Sequence, residues 1–469
     1  MTQTVQLPLW LFVLIVLFAA VTALSHFLLP SVRWFFRRRF EKAVARLNSR
    51  LKRPIQPFKL ARRHDMIQRL IYDPEVSREI ALYAEHNKVP EAVAFQKAHE
   101  YARDIVPSFS AFAYFSFAMR LAKWLAEAVY RIRTASQNDV IIAAIPEDAT
   151  PVFVMNHRSN MDYVLVTYLA SKTSTLSYAV GEWARVWPLS SLIRLWGAYF
   201  IRRHARGALY RKVLSRYVQM ATNGGDTQAF YPEGGLSLTG ALQPPKVGLL
   251  SYLVEGFDPE GARDIVFVPV AINYDRVLED RVLMAAHARG DRRFGARISV
   301  AVAFILRKLW NRLRGKDTRF GTAAVAFGDP VSLRALGKTE DIDALSKTLM
   351  SRIEAVMPVL GVPLVATALG RKGPLNVMEL EAEVAQILER VPEQSVAVDT
   401  QNITDEVARA CRHMEQHGLI AMQDGAWAVS EGQQVAVQFY ANSIAHYLPE
   451  AHELDDAASA SDYSAIAKS

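Results

Sequence analysis

The sequence predicts an α/β protein with a mixed sheet flanked by helices, and three observations support this class. Short apolar runs that are typical of buried strands alternate with longer helical stretches between residues 146 and 361. On both sides of that part, apolar residues recur three and four positions apart, as in amphipathic helices. A length of 469 residues exceeds the roughly 250 to 300 at which one hydrophobic core stops growing, so we expect several packed units.

The composition narrows the functional classes. Hydrophobic residues make up 51% of the chain and charged residues 22%, which supplies enough apolar surface for folding and excludes wholesale disorder. The lone Cys411 excludes an intrachain disulfide framework and any metal site built from several thiolates. A net charge of +8 suits anionic partners such as phosphates, lipid headgroups or nucleic acid.

The first region, residues 1–32, is expected to anchor the chain in a membrane. Leu7 to Leu29 is a stretch of 23 residues without Lys, Arg, Asp or Glu, long enough to cross a hydrocarbon core of about 30 Å as one transmembrane helix. A secretory signal peptide would have a basic start and a shorter apolar core of about 7 to 15 residues. The opening MTQTVQ is uncharged, which favours the anchor.

A basic segment follows this stretch. Arg33 to Arg63 holds twelve Lys or Arg against the single acid Glu41, which predicts anionic membrane lipid as a partner. The positive-inside rule then places the rest of the chain in the cytoplasm, in a single-pass protein of the inner (cytoplasmic) membrane. No zinc finger or RNP signature accompanies the basic segment, so nucleic acid is not expected as a partner.

Four further regions follow the anchor. Residues 33–145 are predicted to be helical and close to the membrane, and residues 146–361 form the α/β domain. Residues 362–451 are again predicted to be helical, and residues 452–469, rich in Ala, Ser and Asp, are expected to be a disordered tail. Prolines interrupt the first helical region at Pro54, Pro57, Pro90 and Pro107.

The first candidate site residue is His157, which comes shortly after the apolar run Val152 to Met155. A strand-to-helix junction would place its imidazole at an exposed edge, where it can take a proton from an attacking hydroxyl. The carboxylate of Asp162 could bind the other ring nitrogen and stabilise the imidazolium. Ser159 and Asp162 also form a capping pair, which would explain Asp162 on structural grounds alone.

Two later blocks offer charged groups. Arg202 and Arg203 follow an apolar run, and their forked guanidiniums suit a phosphate, although a solvent-facing pair is the plainer interpretation. Glu233 follows the strand-like run Thr227 to Tyr231, at the edge where α/β sheets usually present site residues. A turn alone would need the glycines that follow but not this carboxylate. A fourth block, Val268 to Tyr274, by itself indicates only a core strand.

In this order and spacing, the four blocks resemble the four motifs of the glycerolipid acyltransferase superfamily. The block His157 to Tyr163, followed by Phe200 to Arg203, is most similar to glycerol-3-phosphate acyltransferases of the large bacterial membrane-bound type and to their dihydroxyacetone-phosphate acyltransferase relatives. The similarity covers Val152 to Val331. It implies a glycerolipid acyltransferase-like mixed sheet, and outside this span only the helical architecture is shared.

The resemblance also implies an activity, which is transfer of a fatty acyl group from acyl-CoA or acyl carrier protein to the sn-1 hydroxyl of glycerol-3-phosphate. This reaction is the first step of phospholipid synthesis. His157 would be the general base and Asp162 its orienting partner. The substrate-binding residues implied in the same way, with Pro269 on the acyl side, are Arg158, Arg202, Arg203, Glu233, Gly234, Ser237, Lys246 and Pro269. A thioester donor is already activated, so neither a metal nor another cofactor is expected.

The third motif departs from the family pattern, because Leu236 and Leu238 stand where relatives have arginines. The alternative acceptor is therefore a lysophospholipid or another molecule with an apolar part. A lipid hydrolase is a weaker alternative, because Gly235 to Thr239 lacks the second glycine of a G-x-S-x-G nucleophile elbow. An inactive membrane scaffold is disfavoured by the retained His157 and Asp162. The cations that could replace the two arginines are Arg158, Arg202, Arg203 and Lys246.

Overall fold

The computed structural model describes residues 8–18, 38–39, 42, 44–49, 51–135, 138–170, 175–181, 185, 189–202, 207–290, 320–337 and 341–448. They belong to two units, which divide after Pro54. In the first unit, residues 9–18 form a helix whose large apolar side chains are exposed, with Trp10 at 66% and Phe18 at 72%.

The predicted transmembrane helix, Leu7 to Leu29, lies mostly outside the described residues, as do Arg203 and the tail 452–469. Among the helices that are described, none is both long enough and apolar enough to cross a membrane.

The second unit begins with helices, but one strand of the sheet, Arg131–Thr134, also lies within residues 33–145, which were expected to be helical. Prolines mark the boundaries of these helices, since Pro57 and Pro74 occupy first-turn positions and Pro90 precedes the next helix. Asp73 caps one of them by accepting hydrogen bonds from the backbone N–H groups of Glu75 at 3.0 Å and Val76 at 3.4 Å. The helices are α1 (Pro57–Leu60), α2 (Arg63–Ile71), α3 (Pro74–Asn87), α4 (Glu91–Ile105), α5 (Ala111–Ala113) and α6 (Met119–Val129), with a π-helical turn at Tyr114–Ala118.

A mixed sheet of eight strands forms the centre of the second unit, which confirms the predicted class. The spatial order is β1-β7-β6-β2-β5-β3-β4, with β8 paired to β6. The β6–β2–β5–β3–β4 part is parallel, whereas β7 and β8 run antiparallel to β6. The strands are β1 (Arg131–Thr134), β2 (Thr150–Met155), β3 (Ser177–Val180), β4 (Tyr199–Phe200), β5 (Gln228–Phe230), β6 (Ile265–Tyr274), β7 (Thr322–Phe327) and β8 (Val331–Ser332).

Both faces of this sheet are buried, which explains why its strands are continuous apolar runs. Side chains alternate between the faces, so Val152 and Val154 join one core while Phe153 and Met155 join the other. The first core also holds side chains of α2, α3 and α4. The helices between the strands are α7 (Asn138–Ala144), α8 (Met161–Ala170), α9 (Leu189–Leu195), α10 (Ala208–Asn223), α11 (Gly248–Glu255), α12 (Asp280–Ala288), α13 (Leu333–Leu336) and α14 (Ile342–Glu354).

The C-terminal region packs against the second face of the sheet. It contains α15 (Gly361–Lys372), α16 (Val377–Glu389), α17 (Ile403–Gln416) and α18 (Gln434–Ala441). Helix α15 is buried all round, from Val362 to Leu369, as expected of a central helix.

The C-terminal region also contains a β-hairpin that the expectation of an all-helical segment missed. Its strands are β9 (Ile420–Gln423) and β10 (Ala426–Val429). The turn is Asp424-Gly425, and both residues have positive φ, at 49° and 81°. An Asp-Gly pair between short apolar runs is a hairpin signal that the sequence does carry.

Polar contacts join α18 to the α/β domain. Asn442 Nδ2 donates to the Thr239 carbonyl at 3.0 Å, and the Tyr440 hydroxyl donates to Asp280 Oδ2 at 2.7 Å. Gly240 has φ +86° and lies against α18, where a β-carbon at this position would be 1.8 Å from the Phe439 carbonyl oxygen. Only glycine therefore fits between the turn after β5 and α18.

An alanine in the left-handed conformation costs ~1–2 kcal/mol. We expect Gly240→Ala to lower the free energy of unfolding by clearly more than this, because the new methyl group would also collide with the backbone of Phe439. Gly418→Ala is the matched control, since Gly418 has φ +70° and no atom of the described chain lies within 4 Å of the place that its new methyl group would take. Denaturant titration of both variants measures the difference. Equal losses would contradict the close contact between the turn and α18.

Candidate active site

The candidate site begins where β2 ends. Residues 156–160 leave the strand and enter α8, and the side chain of Asn156 ties this loop to β6. Asn156 Nδ2 donates to the Ile272 carbonyl at 2.9 Å, and the Ile272 N–H donates to Asn156 Oδ1 at 2.7 Å. The amide therefore continues the β2–β6 pairing beyond the last strand residue and fixes the start of the loop.

His157 and Asp162 form a buried pair, with 2.8 Å between His157 Nδ1 and Asp162 Oδ2. The same oxygen accepts the backbone N–H groups of Arg158 at 2.8 Å and Ser159 at 3.0 Å, and Oδ1 accepts the Tyr274 hydroxyl at 2.6 Å. Asp162 thus orients the imidazole and also caps the loop, so the two interpretations of this residue are both satisfied. The remaining ring nitrogen, Nε2, is the one that can accept a proton.

Aromatic rings fix the plane of the imidazole. Tyr231 stacks on His157 with 3.9 Å between ring centroids and 20° between planes, and Tyr163 meets it edge-on at 5.5 Å. Burial raises the pKa of Tyr231 well above its usual value, so this ring stays neutral. Sequence reasoning missed both tyrosines as site residues, although each lies in one of the four blocks.

The carboxylate of Glu233 accepts hydrogen bonds from two backbone N–H groups. Its Oε1 accepts the His157 N–H at 2.7 Å, and its Oε2 accepts the Gln243 N–H at 3.0 Å. Burial raises the pKa of this carboxyl to about 8, and the two hydrogen bonds only partly offset that effect. These contacts assign Glu233 a positioning role for the loop that carries His157.

A second carboxylate that the sequence did not reveal holds the same loop from the other side. Glu279 Oε2 accepts the Ser159 hydroxyl at 2.7 Å, while Oε1 accepts the N–H of Asn160 at 3.2 Å and its side-chain amide at 3.0 Å. Burial raises the pKa of Glu279. Nothing in the local sequence distinguishes Glu279 from an ordinary acid beside α12.

The side chain of Arg158, which the resemblance assigned to substrate binding, is buried. It donates to the Gly240 carbonyl and lies over the Phe439 ring, 5.7 Å from the centroid. Burial lowers the pKa of Arg158. Its contacts therefore join the His157 loop to the Gly240 turn and to α18.

A cleft of about 470 Å³ opens beside His157. It brings together four of the predicted site residues: His157, Arg202, Gly234 and Lys246. Gly234 has φ +66°, and a β-carbon there would lie 2.8 Å from Lys246 Cδ, so this glycine makes room for the lysine chain. The other lining residues include the cation Arg211 and the apolar Val180, Ile201, Leu214 and Leu249.

Ser237 and Pro269 do not line this cleft, and neither do Arg158, Asp162 and Glu233. The Ser237 hydroxyl donates to the Ala241 carbonyl at 2.6 Å and accepts the Gly240 N–H at 3.1 Å, so it stabilises the turn. Pro269 lies in β6, opposite Val154 of β2. The roles that the resemblance assigned to them stay predictions.

The two leucines of the third motif pack into the protein interior. Leu238 is buried in the core that includes α15 and α18, and Leu236 packs against the same core. Neither lines the cleft. Because their side chains fill core space, apolar residues at these positions serve packing whatever the acceptor is.

Comparison with known proteins agrees with this geometry. The family model described as Acyltransferase matches residues 139–273, and the one described as Glycerol-3-phosphate acyltransferase C-terminal region matches residues 306–451. Curated proteins named glycerol-3-phosphate acyltransferase are similar to the chain. That of Colwellia psychrerythraea is 25% identical over 83% of this chain and 50% of its own length, and that of Aeromonas hydrophila is 27% identical over the same shares.

The protein of that name from Pseudomonas fluorescens is 30% identical over 62% of this chain and 34% of its own length. The chain thus spans between about a third and a half of the curated relatives it matches. A crystal structure of the 1-acyl-sn-glycerophosphate acyltransferase from Thermotoga maritima is also similar, with 18% identity, 51% of this chain, 75% of that chain and a TM-score of 0.31.

The four-residue spacing between a histidine and an aspartate, set at the end of a central strand beside a cleft, agrees with the acyltransferase domain that the family model matches. The region that follows matches the family model of the glycerol-3-phosphate acyltransferase C-terminal region. In these two regions the chain is similar to glycerol-3-phosphate acyltransferases.

The contact between Tyr274 and Asp162 predicts a measurable difference between two buried tyrosines. Tyr274→Phe removes a hydrogen bond to a buried carboxylate, so the free energy of unfolding should fall by about 1.5–3 kcal/mol. Tyr130→Phe is the control, because its hydroxyl donates to the neutral Arg276 carbonyl at 2.8 Å and should lose about 0.5–1.5 kcal/mol. Denaturant unfolding compares them, and a Tyr274 loss no larger than the control would contradict the charged contact.

Proposed function

We propose that the chain transfers a fatty acyl group from a thioester donor, acyl-CoA or acyl carrier protein, to the sn-1 hydroxyl of glycerol-3-phosphate. The single observation that carries the proposal is the His157–Asp162 pair beside a cleft with both cationic and apolar walls. The names of the curated relatives support the same substrate, although the chain spans at most about half of their length.

The chemistry follows from this pair. His157 Nε2 takes the proton of the acceptor hydroxyl as the oxygen attacks the thioester carbonyl, and Asp162 stabilises the imidazolium that forms. When the tetrahedral intermediate collapses, the carbon–sulfur bond breaks and the imidazolium returns the proton to the thiolate. A positioned hydroxyl, a base and an activated donor suffice for this transfer.

The walls of the cleft suit the two substrates differently. Arg202, Arg211 and Lys246 are the cations that line it, and they can neutralise a phosphate on the acceptor. Arg211 was not anticipated from the sequence. The apolar wall of Ile201, Leu214 and Leu249 suits an acyl chain, because burial of its methylene groups stabilises the complex.

A second candidate acceptor has an apolar part, such as a lysophospholipid. The lack of arginines at Leu236 and Leu238 is the reason for considering it, although these leucines fill core space and do not line the cleft. A serine hydrolase is disfavoured, since the Ser237 hydroxyl is engaged within the turn and does not line the cleft.

Membrane attachment is part of the proposal. Its support is the uncharged stretch Leu7 to Leu29 with the basic segment that follows it, together with the exposed apolar side chains of residues 9–18. A single span would place the catalytic part on the cytoplasmic side of the inner membrane and bring it to anionic lipid.

His157→Ala should lower the rate of acyl transfer by roughly 100-fold or more, because the general base is lost. The measurement is transfer of radiolabelled long-chain acyl groups from acyl-CoA to glycerol-3-phosphate by membranes with and without the protein. His86→Ala, at the exposed end of α3, is the control. If His157→Ala folds and keeps most of its activity, the proposed mechanism is wrong.

Two further variants distinguish the acceptors. Lys246→Ala should raise the KM for glycerol-3-phosphate about ten- to a hundredfold with little change in that for acyl-CoA, because a charge-assisted hydrogen bond contributes about 1.5–3 kcal/mol. If a lysophospholipid is the natural acceptor, Lys246→Ala should leave glycerol-3-phosphate use, already weak, unchanged, and Leu236→Arg should improve it. If glycerol-3-phosphate proves to be the best acceptor and neither variant has an effect, both proposals for how the acceptor binds are contradicted.

A further inference from the structure

A cluster of arginines lies where α4 ends, beside the cleft that holds His157. Three guanidiniums surround the carboxylate of Asp104: Arg202, which forms a close ion pair with it, Arg185 at 3.3 Å and Arg194 at 3.9 Å. Among the described residues, the ion pairs of this cluster set one carboxylate against three guanidiniums. The sequence analysis anticipated only Arg202.

The arginines of this cluster are held in fixed planes by aromatic rings. Arg185 and Arg194 lie over the Phe200 ring, at 5.7 and 5.1 Å from its centroid, and Arg202 lies over the Tyr101 ring at 5.5 Å. Stacking orders a guanidinium and leaves the N–H groups at its edge free to donate. Such pre-organised forks are the groups that bind phosphate oxygens in two places at once.

A cavity of about 320 Å³ adjoins this cluster. Its walls carry the cations Arg63, Arg103, Arg194 and Arg202 and the acids Glu100 and Asp104, so positive charge is again in excess. Burial, and after it the charge of Arg63, lowers the pKa of Arg194, whereas Asp104 raises it. Arginines stay protonated despite such shifts.

Several donors in the cluster have no acceptor within the described part of the chain. The Nε atoms of Arg185, Arg194 and Arg202 are buried and make no hydrogen bond to the described residues. Nη2 of Arg185 makes none either, although it forms the ion pair with Asp104. Buried donors are usually satisfied, so unpaired ones call for an absent partner.

The plain alternative is that the arginines only cap the C-terminus of α4. Arg63 Nε donates to the Val106 carbonyl at 2.9 Å, and Arg194 Nη1 is 3.4 Å from the Arg103 carbonyl, as the negative end of a helix would favour. These carbonyls occupy Arg63 and one nitrogen of Arg194. They leave the three Nε donors and the surplus charge without an explanation.

We propose that this cavity is a phosphate subsite, joined to the catalytic cleft by Arg202, which lines both. A phosphate dianion there would offset the excess of cations in the cavity wall and accept hydrogen bonds from the guanidiniums of Arg194 and Arg202, which line it. Asp104 holds the guanidiniums together when the subsite is empty. The inference rests on the proposed function, because the phosphate then belongs to one of two substrates: the acceptor, or the nucleotide part of acyl-CoA.

The test uses the full chain in phospholipid nanodiscs and the variant Arg194→Gln. Titration calorimetry measures the binding of glycerol-3-phosphate and, separately, of adenosine 3′,5′-bisphosphate, which carries phosphates of the donor without its thioester. Loss of one charge-assisted contact should lower the affinity for one of these ligands about ten- to a hundredfold. Arg78→Gln, a matched charge removal on the exposed side of α3, should leave both affinities unchanged.

Each outcome has a distinct meaning. Weaker glycerol-3-phosphate binding alone assigns the subsite to the acceptor, and weaker bisphosphate binding alone assigns it to the donor. Unchanged affinity for both ligands overturns the subsite. If Arg194→Gln does not fold, Arg63→Gln, from the same cavity, is measured under the same criteria.

Activity assays on the same samples separate this inference from the proposed function. Acyl transfer with unchanged affinities in Arg194→Gln would overturn the subsite and leave the function standing. Arginine-dependent binding of a phosphate ligand by a chain without transfer activity would overturn the function and leave the subsite standing.

Discussion

The arrangement of the site depends on one buried charge, the carboxylate of Asp162. A carboxylate without exposure to water must find donors inside the protein, because an unpaired buried charge is strongly destabilising. Its oxygens accept from two backbone N–H groups, the His157 ring and the Tyr274 hydroxyl. These donors come from the loop after β2 and from the end of β6. The hydrogen bonds to this one carboxylate therefore fix β2, β6 and the start of α8 relative to one another.

The surrounding carboxylates extend this constraint outward. Glu233 and Glu279 hold the His157 loop from two sides by its backbone and by short polar side chains. Asp280, next to Glu279, accepts the Tyr440 hydroxyl of α18. The position of the imidazole is therefore linked through a few hydrogen bonds to a helix more than 270 residues later in the chain.

The sequence was sufficient to predict residues that lie close together along the chain, such as His157 and Asp162. The interval between His157 and Asp162 is set within one loop and one helix turn, so it can be recognised without the fold. Tyr274 and Glu279 could not be found in this way, because they reach the site only through the pairing of β6 with β2. The contacts of Arg158 could not be predicted in this way either, because its guanidinium lies over the Phe439 ring of α18, which the motif does not contain. The mixed sheet was predictable because its buried strands are continuous apolar runs.

The contact of Gly240 with Phe439 has a consequence for how such proteins can diverge. The turn beside the catalytic loop and the C-terminal helix share a surface with no space for even one additional methyl group. A recombination event that paired this α/β domain with the C-terminal region of a distant relative would join two surfaces that were never fitted to each other. Exchange of either region alone would have to preserve both this glycine and the position of the Phe439 carbonyl.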